Sequence, residues 1–597
     1  MNNKVILSAH TVRKSTFYNA KDPAVPGELF TVNPVKPDLT GFAYPLPSKK
    51  QDYTCCAQGG GVFWYGASTG LTRYEPGAKH DFNKVQFFSA ERDLYDNNVR
   101  SLLADGRNVW VLTDDGVVYI EEVSVTPEKL SAILLEETLR VVDRHGMVSQ
   151  RWLRESRNID SFVHDGHSDN DGGFTALFNL GEVFRYAVLK RERGADDPET
   201  LKAKAVATRA LEAVLLLAHV HGRGNGFVAR SYSVTGERIP DDGLFFKRNG
   251  DYAYCIETNE SKSRGCCGYK VDCSAPIPER LRHLFTDEGF TEDDITYKGD
   301  TSSDEITLEF LDLLFAHDYL TCDDPELDGI LVDTVKAIMN HIIDNGFRLV
   351  DYSGKETTWA KWYEDYFNSE MGYVDGALNA AELLFYLKAT MHITGESGKW
   401  QETYDYLVNE KGYADLSEKH RDRFYQMAIL QNFTTPEDIM FGDHTLASAS
   451  FLGLCLLEKD ETLLQKYRNG FESWRFSLDR EDSPYYDFMY AVACPDAEIN
   501  TEYAKEFFYR TNLSRLAAGV SLIGRHDIPV MDLSDGYRQI SCKLPPDERF
   551  IAKLDRDPRR YVDEDSGGTM CVETCCTFTL AYWFGRFFGI IVEGDSK

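Results

Sequence analysis

Six chemically active side chains crowd His164-Asp165-Gly166-His167-Ser168-Asp169-Asn170-Asp171. Two His, three Asp and an Asn fall within eight positions, directly before the amphipathic run Phe174–Leu189. A helix entrance needs one Asp or Asn as its cap, and first-turn carboxylates gain only modestly from the helix dipole. Neither effect accounts for six. A second segment, Gly299-Asp300-Thr301-Ser302-Ser303-Asp304-Glu305, repeats the form: a Gly-marked loop, a carboxylate pair, then a helical run to Tyr319. Glycoside hydrolysis asks for such a supply, because two carboxyl groups must flank the bond, one protonated as acid and one ionised as base or nucleophile. Asp169, Asp171, Asp304 and Glu305 are the candidates, with Asp171 on one side of a cavity and Asp304 or Glu305 across it. His164, His167, Asp169 and Asn170 then bind sugar hydroxyls. The structural alternative is that Asp171 and Asp304 are solvated N-caps with no part in chemistry.

A second chemistry fits other residues. β-Elimination from a uronate needs a general base and a cation that neutralises the sugar carboxylate, so that the α-proton becomes acidic. His164, His167, His444 and Tyr232 are possible bases, and Arg230, following a Gly-rich turn at Gly224-Asn225-Gly226, is the best-placed cation. Lys355-Glu356-Thr357-Thr358-Trp359-Ala360-Lys361-Trp362 sets two Trp beside a Glu, with Trp359 as a sugar-stacking platform or as ordinary packing. Gly442-Asp443-His444 repeats the polar helix entrance and adds Asp443 and His444 to the binding candidates. No dinucleotide fingerprint, Walker loop, HExxH or GxSxG elbow occurs, which leaves hydride transfer, P-loop phosphoryl transfer and serine hydrolysis without support.

The elements that must position these residues fall into two regions. Residues 1–125 read as a β-rich domain. Val62 to Tyr74 and Asn108 to Tyr119 look like copies of one unit, each an apolar strand around a Trp, a turn ending in Gly, and a second strand; the two Gly, Gly70 and Gly116, lie 46 residues apart. These units resemble the blade repeat of regulator-type β-propellers. Two copies cannot close a propeller, so a small β-domain packed on the rest is expected. From about 126 to 597 the pattern is helical, with runs near 127–144, 173–192, 200–221, 304–319, 329–345, 376–394, 399–409, 417–431, 443–458, 460–479, 498–515 and 573–589. Leu331, Val335, Ile338 and Ile342 make one apolar stripe of helical period, closed by Asn345-Gly346. A dozen such helices predict a mainly α protein, an (α/α)6 toroid with a small N-terminal β-rich domain. Segment 223–300 is expected to form loops and short strands over one mouth.

The balance of 65 basic against 96 acidic residues, net −31, repels phosphate backbones and anionic bilayers, so neither nucleic acid nor membrane is an expected partner. An anionic substrate would need local Arg or Lys to overcome that field. The N-terminus has no apolar signal-like core, and the longest apolar stretch, Phe578 to Val592, is short and carries Arg586. Thirteen scattered cysteines suit reduced thiols in the cytoplasm more than a disulfide framework. Cys266-Cys267 with Cys273 lacks a zinc spacing, and no metal or other cofactor is expected. An oligosaccharide substrate is the expected partner; the number of chains that assemble is left open, a homo-oligomer included.

The segments "SDNDGGFTALF", "GDTSSDEITLEF", "HIIDNGFRLVDYSGKETTWAKW", "GALNAAELLFYLKATMHITG" and "LAYWFGRFFGII" resemble bacterial carbohydrate-active enzymes with helical-toroid domains, of glycoside hydrolase and polysaccharide lyase type. The resemblance spans roughly residues 150–597. It implies uronate-containing glycans as substrates, and Asp169, Asn170, Asp171, Asp304 and Glu305 match the positions it implies to be functional. The chain departs from the family pattern at Thr358-Trp359-Ala360-Lys361-Trp362, where "TRWGxW" is usual, and its N-terminal repeats are too few for a propeller. The expected activity is an intracellular, exo-acting glycoside hydrolase on small uronic-acid-containing oligosaccharides. A uronate-specific lyase and a non-catalytic glycan-binding or sensory protein are the alternatives.

Overall fold

The computed structural model of the protein describes residues 3–32, 34–40, 42, 46–47, 52–90, 92–163, 170–431, 441–478, 483–517, 525, 527–532, 538–540, 544–548 and 571–594. The protein is 46% helix and 19% strand, with seventeen α-helices and several small sheets among the described residues. It is a mixed α/β protein, which corrects the expectation of a mainly α (α/α)6 toroid. Counting helices does not arrange them in a ring. Many of the strands are two or three residues long, too short to leave a period in the sequence.

The N-terminal region holds two four-stranded antiparallel sheets. One runs through Cys55–Gly59, Val62–Ala67, Gly70–Tyr74 and Val85–Phe88; the other joins His10–Tyr18, Val117–Val125, Asn108–Leu112 and Ser101–Asp105. Each contains one of the two blade-like units. Trp64, Leu71, Val109, Val118 and Ile120 share one small apolar core. The region is tied to the rest by charge. Arg510 bonds Asp547 and Glu548, and Glu548 also accepts the Phe87 N–H at 3.0 Å. The first strand, Val5–Leu7, leaves this region and pairs in parallel with Ile591–Glu593 near the other end of the chain.

All twelve expected helical runs overlap helices. Their ends obey local chemistry: Asp197 caps Pro198–Leu217 by accepting the Glu199 and Thr200 N–H groups, and Asp324 caps Pro325–Asp344, each with Pro at the first turn. Two helices, Asp171–Arg193 and Ser303–Tyr319, form the heart of the fold. Asp171–Arg193 packs on Pro198–Leu217, Ser303–Tyr319 and Cys576–Phe587, while Ser303–Tyr319 packs in turn on Gly376–Thr394 and Phe441–Leu457. Ser303–Tyr319 and Gly376–Thr394 are buried around most of their circumference, so they carry little amphipathic signature. Segment 223–300 is more ordered than expected: Tyr232–Ser233, Thr296–Lys298, Phe245–Asn249, Tyr252–Cys255 and Lys270–Asp272 make one five-stranded antiparallel sheet. No helix among the described residues is long and apolar enough to cross a membrane.

Candidate functional site

The two acidic entrances meet. Gly172 and Gly173 open the 171 helix where it crosses the start of the 303 helix, and the Gly173 N–H donates to Glu305 Oε2. A Cβ on Gly172 would stand 2.5 Å from Glu305 Oε2 and 2.9 Å from Glu309 Oε1. The bare α-carbon is therefore what lets two buried carboxyls approach this turn. Consecutive residues then part company. Asp304 projects into a cavity with its side chain 42% exposed, while Glu305 is fully buried beneath it.

That cavity has a volume of about 310 Å³. Three carboxylates from three helix entrances line it: Asp304, Asp375 and Asp443. Trp359, 44% exposed, and Tyr366 supply aromatic faces, Asn170 and Asn379 supply amides, and Phe174, Leu177, Leu308, Leu378 and Leu446 supply apolar wall. Trp359 is held there by its strand, Glu356–Lys361, because Asp300 accepts both the N–H and the hydroxyl of Thr358 at 3.2 and 3.0 Å. Asn379 fixes the same strand by donating to the Lys361 carbonyl at 2.7 Å.

The carboxyls sit in unequal surroundings. Burial pushes Asp375 up to about 6, helped by the charge of Asp304 and opposed by the Tyr366 hydroxyl 3.5 Å away. Asp443 is raised well above the ordinary carboxyl range by burial, then by Asp375, Asp304 and Glu382. Glu382 lies deeper, pushed up to about 8 by burial although Trp362 Nε1 and the Thr307 hydroxyl donate to it at 2.8 and 2.9 Å. Below about pH 6 Asp375 holds a proton beside Asp304, and burial favours the protonated forms of Asp443 and Glu382 as well.

Several expected roles are corrected here. Asp171 does not line the cavity; it is buried, with Oδ2 accepting from Arg144 Nη2 at 2.8 Å and from the Ser231 hydroxyl at 2.6 Å. It staples the helix start to two loops. Glu305 is behind the cavity, not in it. Arg230 is buried and engaged by Asn170, Asp304 and Glu305, so it is not presented to a substrate carboxylate. His444 is buried edge-on against Trp474 at 5.2 Å and lines no part of the cavity. Tyr232 is fully buried, its hydroxyl on the His145 carbonyl and its proton held more firmly by burial, which removes it as a base. Of the candidate residues, Asn170, Asp304, Trp359 and Asp443 lie together at the cavity wall. His164, His167 and Asp169 lie outside the described residues.

Sequence reasoning missed Asp375, Tyr366, Asn379 and Glu382. Asp375-Gly376 carried a usable signal, since an Asp-Gly step before a long apolar run is the form already singled out at Asp171-Gly172. Among the described residues no group of three or more His, Cys, Asp and Glu side chains is arranged to hold a metal ion. No protein-family model matches the chain, and no curated protein matches it either.

Proposed function

We propose that the cavity is the active site of an exo-acting glycoside hydrolase on small oligosaccharides. In this reading Asp304 is base or nucleophile, and Asp375 with Asp443 holds the proton delivered to the leaving oxygen. One observation carries it: three carboxyls face one cavity, and burial favours the protonated form of two of them, Asp375 and Asp443, which suits them to the role of acid. The exposed Trp359 supports a stacking role for a sugar face. A volume of about 310 Å³ is at the small end for ligand pockets, which suits removal of one terminal unit. Seven of the twelve free cysteines among the described residues are buried, which favours a reducing, cytoplasmic setting.

The uronate preference loses support at this site. No Lys or Arg is among the described residues lining the cavity, and Arg230 behind it is already shared by Asp304 and Glu305. Neutral sugars suit an acid-lined wall better. The test is a panel of neutral and glucuronate-bearing oligosaccharides, followed by reducing ends and ultraviolet absorbance together. Reducing ends from neutral sugars without absorbance support the reading. Absorbance would make the protein a lyase, and binding by calorimetry without turnover would make it a glycan-binding protein.

Two further results are expected. A proton on Asp375 is lost as pH rises through about 6, so kcat/KM should fall on the alkaline side of that value; a rate flat from pH 5 to 8 would exclude Asp375 as the acid. Trp359→Ala should raise KM about tenfold, roughly 1.4 kcal/mol, with kcat nearly unchanged, because stacking serves ground and transition states alike.

A further inference from the structure

Asp304 and Glu305 follow one another on the first turn of the 303 helix and share one cation. The Arg230 guanidinium lies 3.8 Å from Asp304 Oδ2 through Nη2 and 3.6 Å from Glu305 Oε1 through Nε, and Nη2 also donates to Asn170 Oδ1. Glu305 is fully buried. Its Oε2 takes the Gly173 N–H, while its Oε1 accepts no hydrogen bond from any described residue and has only the longer contact to Arg230. Glu309 lies on the same helix, buried against the same Gly172, and Asp171 on the crossing helix is occupied by Arg144. Asp375, Glu382 and Asp443 act on Asp304 from the 376 and 441 helices.

We propose that Glu305 is a positioning residue that sets the charge environment of Asp304 through Arg230. With a proton on Glu305, the guanidinium serves Asp304 as its counter-ion. Once Glu305 ionises, the guanidinium is divided between two carboxylates, and Asp304 gains a negative neighbour one residue away with little water between to screen it. The ionisation falls in an accessible range: burial pushes Glu305 up to about 8, opposed by Arg230 and reinforced by Asp304. Glu309 adds to this from below, itself raised well above the usual range by burial and by Glu305. The direction is fixed: as pH rises through about 8, Glu305 adds one negative charge to the pair that Arg230 must balance.

The consequence for turnover rests on the hydrolase reading, but the electrostatic step does not. Wild-type protein carrying carboxyl carbon-13 label in Asp and Glu is titrated by NMR from pH 4 to 10, with the Asp304 and Glu305 carboxyls assigned through their own backbone resonances. Glu305 should titrate near pH 8, and the Asp304 resonance should show an inflection at the same pH. Glu305→Gln keeps the shape and the acceptor for Gly173, and it should abolish that inflection together with any matching break in the pH profile of kcat. Titration of Glu305 in the ordinary carboxyl range overturns the proposal, as does an Asp304 inflection that survives Glu305→Gln. Because the wild-type titration alone decides the first point, poor folding of the variant leaves the proposal exposed to refutation. Coupled titrations in a protein without glycosidase activity would sink the hydrolase reading and keep this one; activity without coupling would do the reverse.

Discussion

Asp304→Asn is expected to lower kcat/KM by about 10²–10⁴-fold, the range for removing a positioned acid or base, with the urea unfolding midpoint unchanged. The two halves of that result have separate causes. Asp304 has its side chain 42% exposed and shares the cavity with Asp375 and Asp443. Its contact with Arg230 is long, at 3.8 Å, and part-exposed pairs of that kind contribute about 0–1 kcal/mol. Asn preserves shape and first-turn polarity but can neither take a proton nor attack an anomeric carbon. Wild-type turnover in Asp304→Asn would remove this residue from the chemistry and leave the cavity a binding site.

Arg144→Met is expected to act in the opposite way, lowering stability by about 3–5 kcal/mol, the cost of leaving a buried charge without its partner. Arg144 is buried between two carboxylates, 2.8 Å from Asp171 and 3.0 Å from Glu237, and donates to the Tyr232 carbonyl at 2.7 Å. Its loss strands both acids and a backbone acceptor at the point where the 171 helix begins. Arg144→Met combined with Asp171→Asn should recover part of the loss, because it removes one of the stranded charges. Urea denaturation followed by circular dichroism measures both; a loss under 1 kcal/mol for the single variant would show that water reaches Asp171 and that the staple is weak.

The contrast between Asp304 and Asp171 shows where sequence reading runs out. Both are Asp residues at Gly-marked helix entrances, and nothing local separates them. What separates them is Arg144, 27 positions before Asp171, which only the fold brings near. The helices themselves were legible, since caps such as Asp197-Pro198 and Asp324-Pro325 and the stripe from Leu331 to Ile342 are local physics. Their arrangement was not, because Ser303–Tyr319 and Gly376–Thr394 are buried on nearly every side and their sequences do not tell which neighbour each face meets. The five-stranded sheet from Tyr232 to Lys298 escaped for another reason: its strands are two to five residues long and interrupted by short helices. Trp359 and Asp443 were legible as an exposed aromatic and a polar entrance, and Asp375 was overlooked although it had the same form.

The parallel pairing of Val5–Leu7 with Ile591–Glu593 puts a clock on biosynthesis. Lys4 reaches the carbonyl of Gly589, 585 positions away, so the first strand emerges from the ribosome long before its partner exists. At about 5–20 residues per second, it waits roughly half a minute to two minutes. Throughout that wait Val5 and Leu7, both buried in the finished protein, belong to an open strand edge of the kind that recruits other chains. The seam is thus a late event: it can close only once Ile591–Glu593, which follows the helix Cys576–Phe587, has been made, and a nascent chain stalled before that point keeps the edge of Val5–Leu7 open.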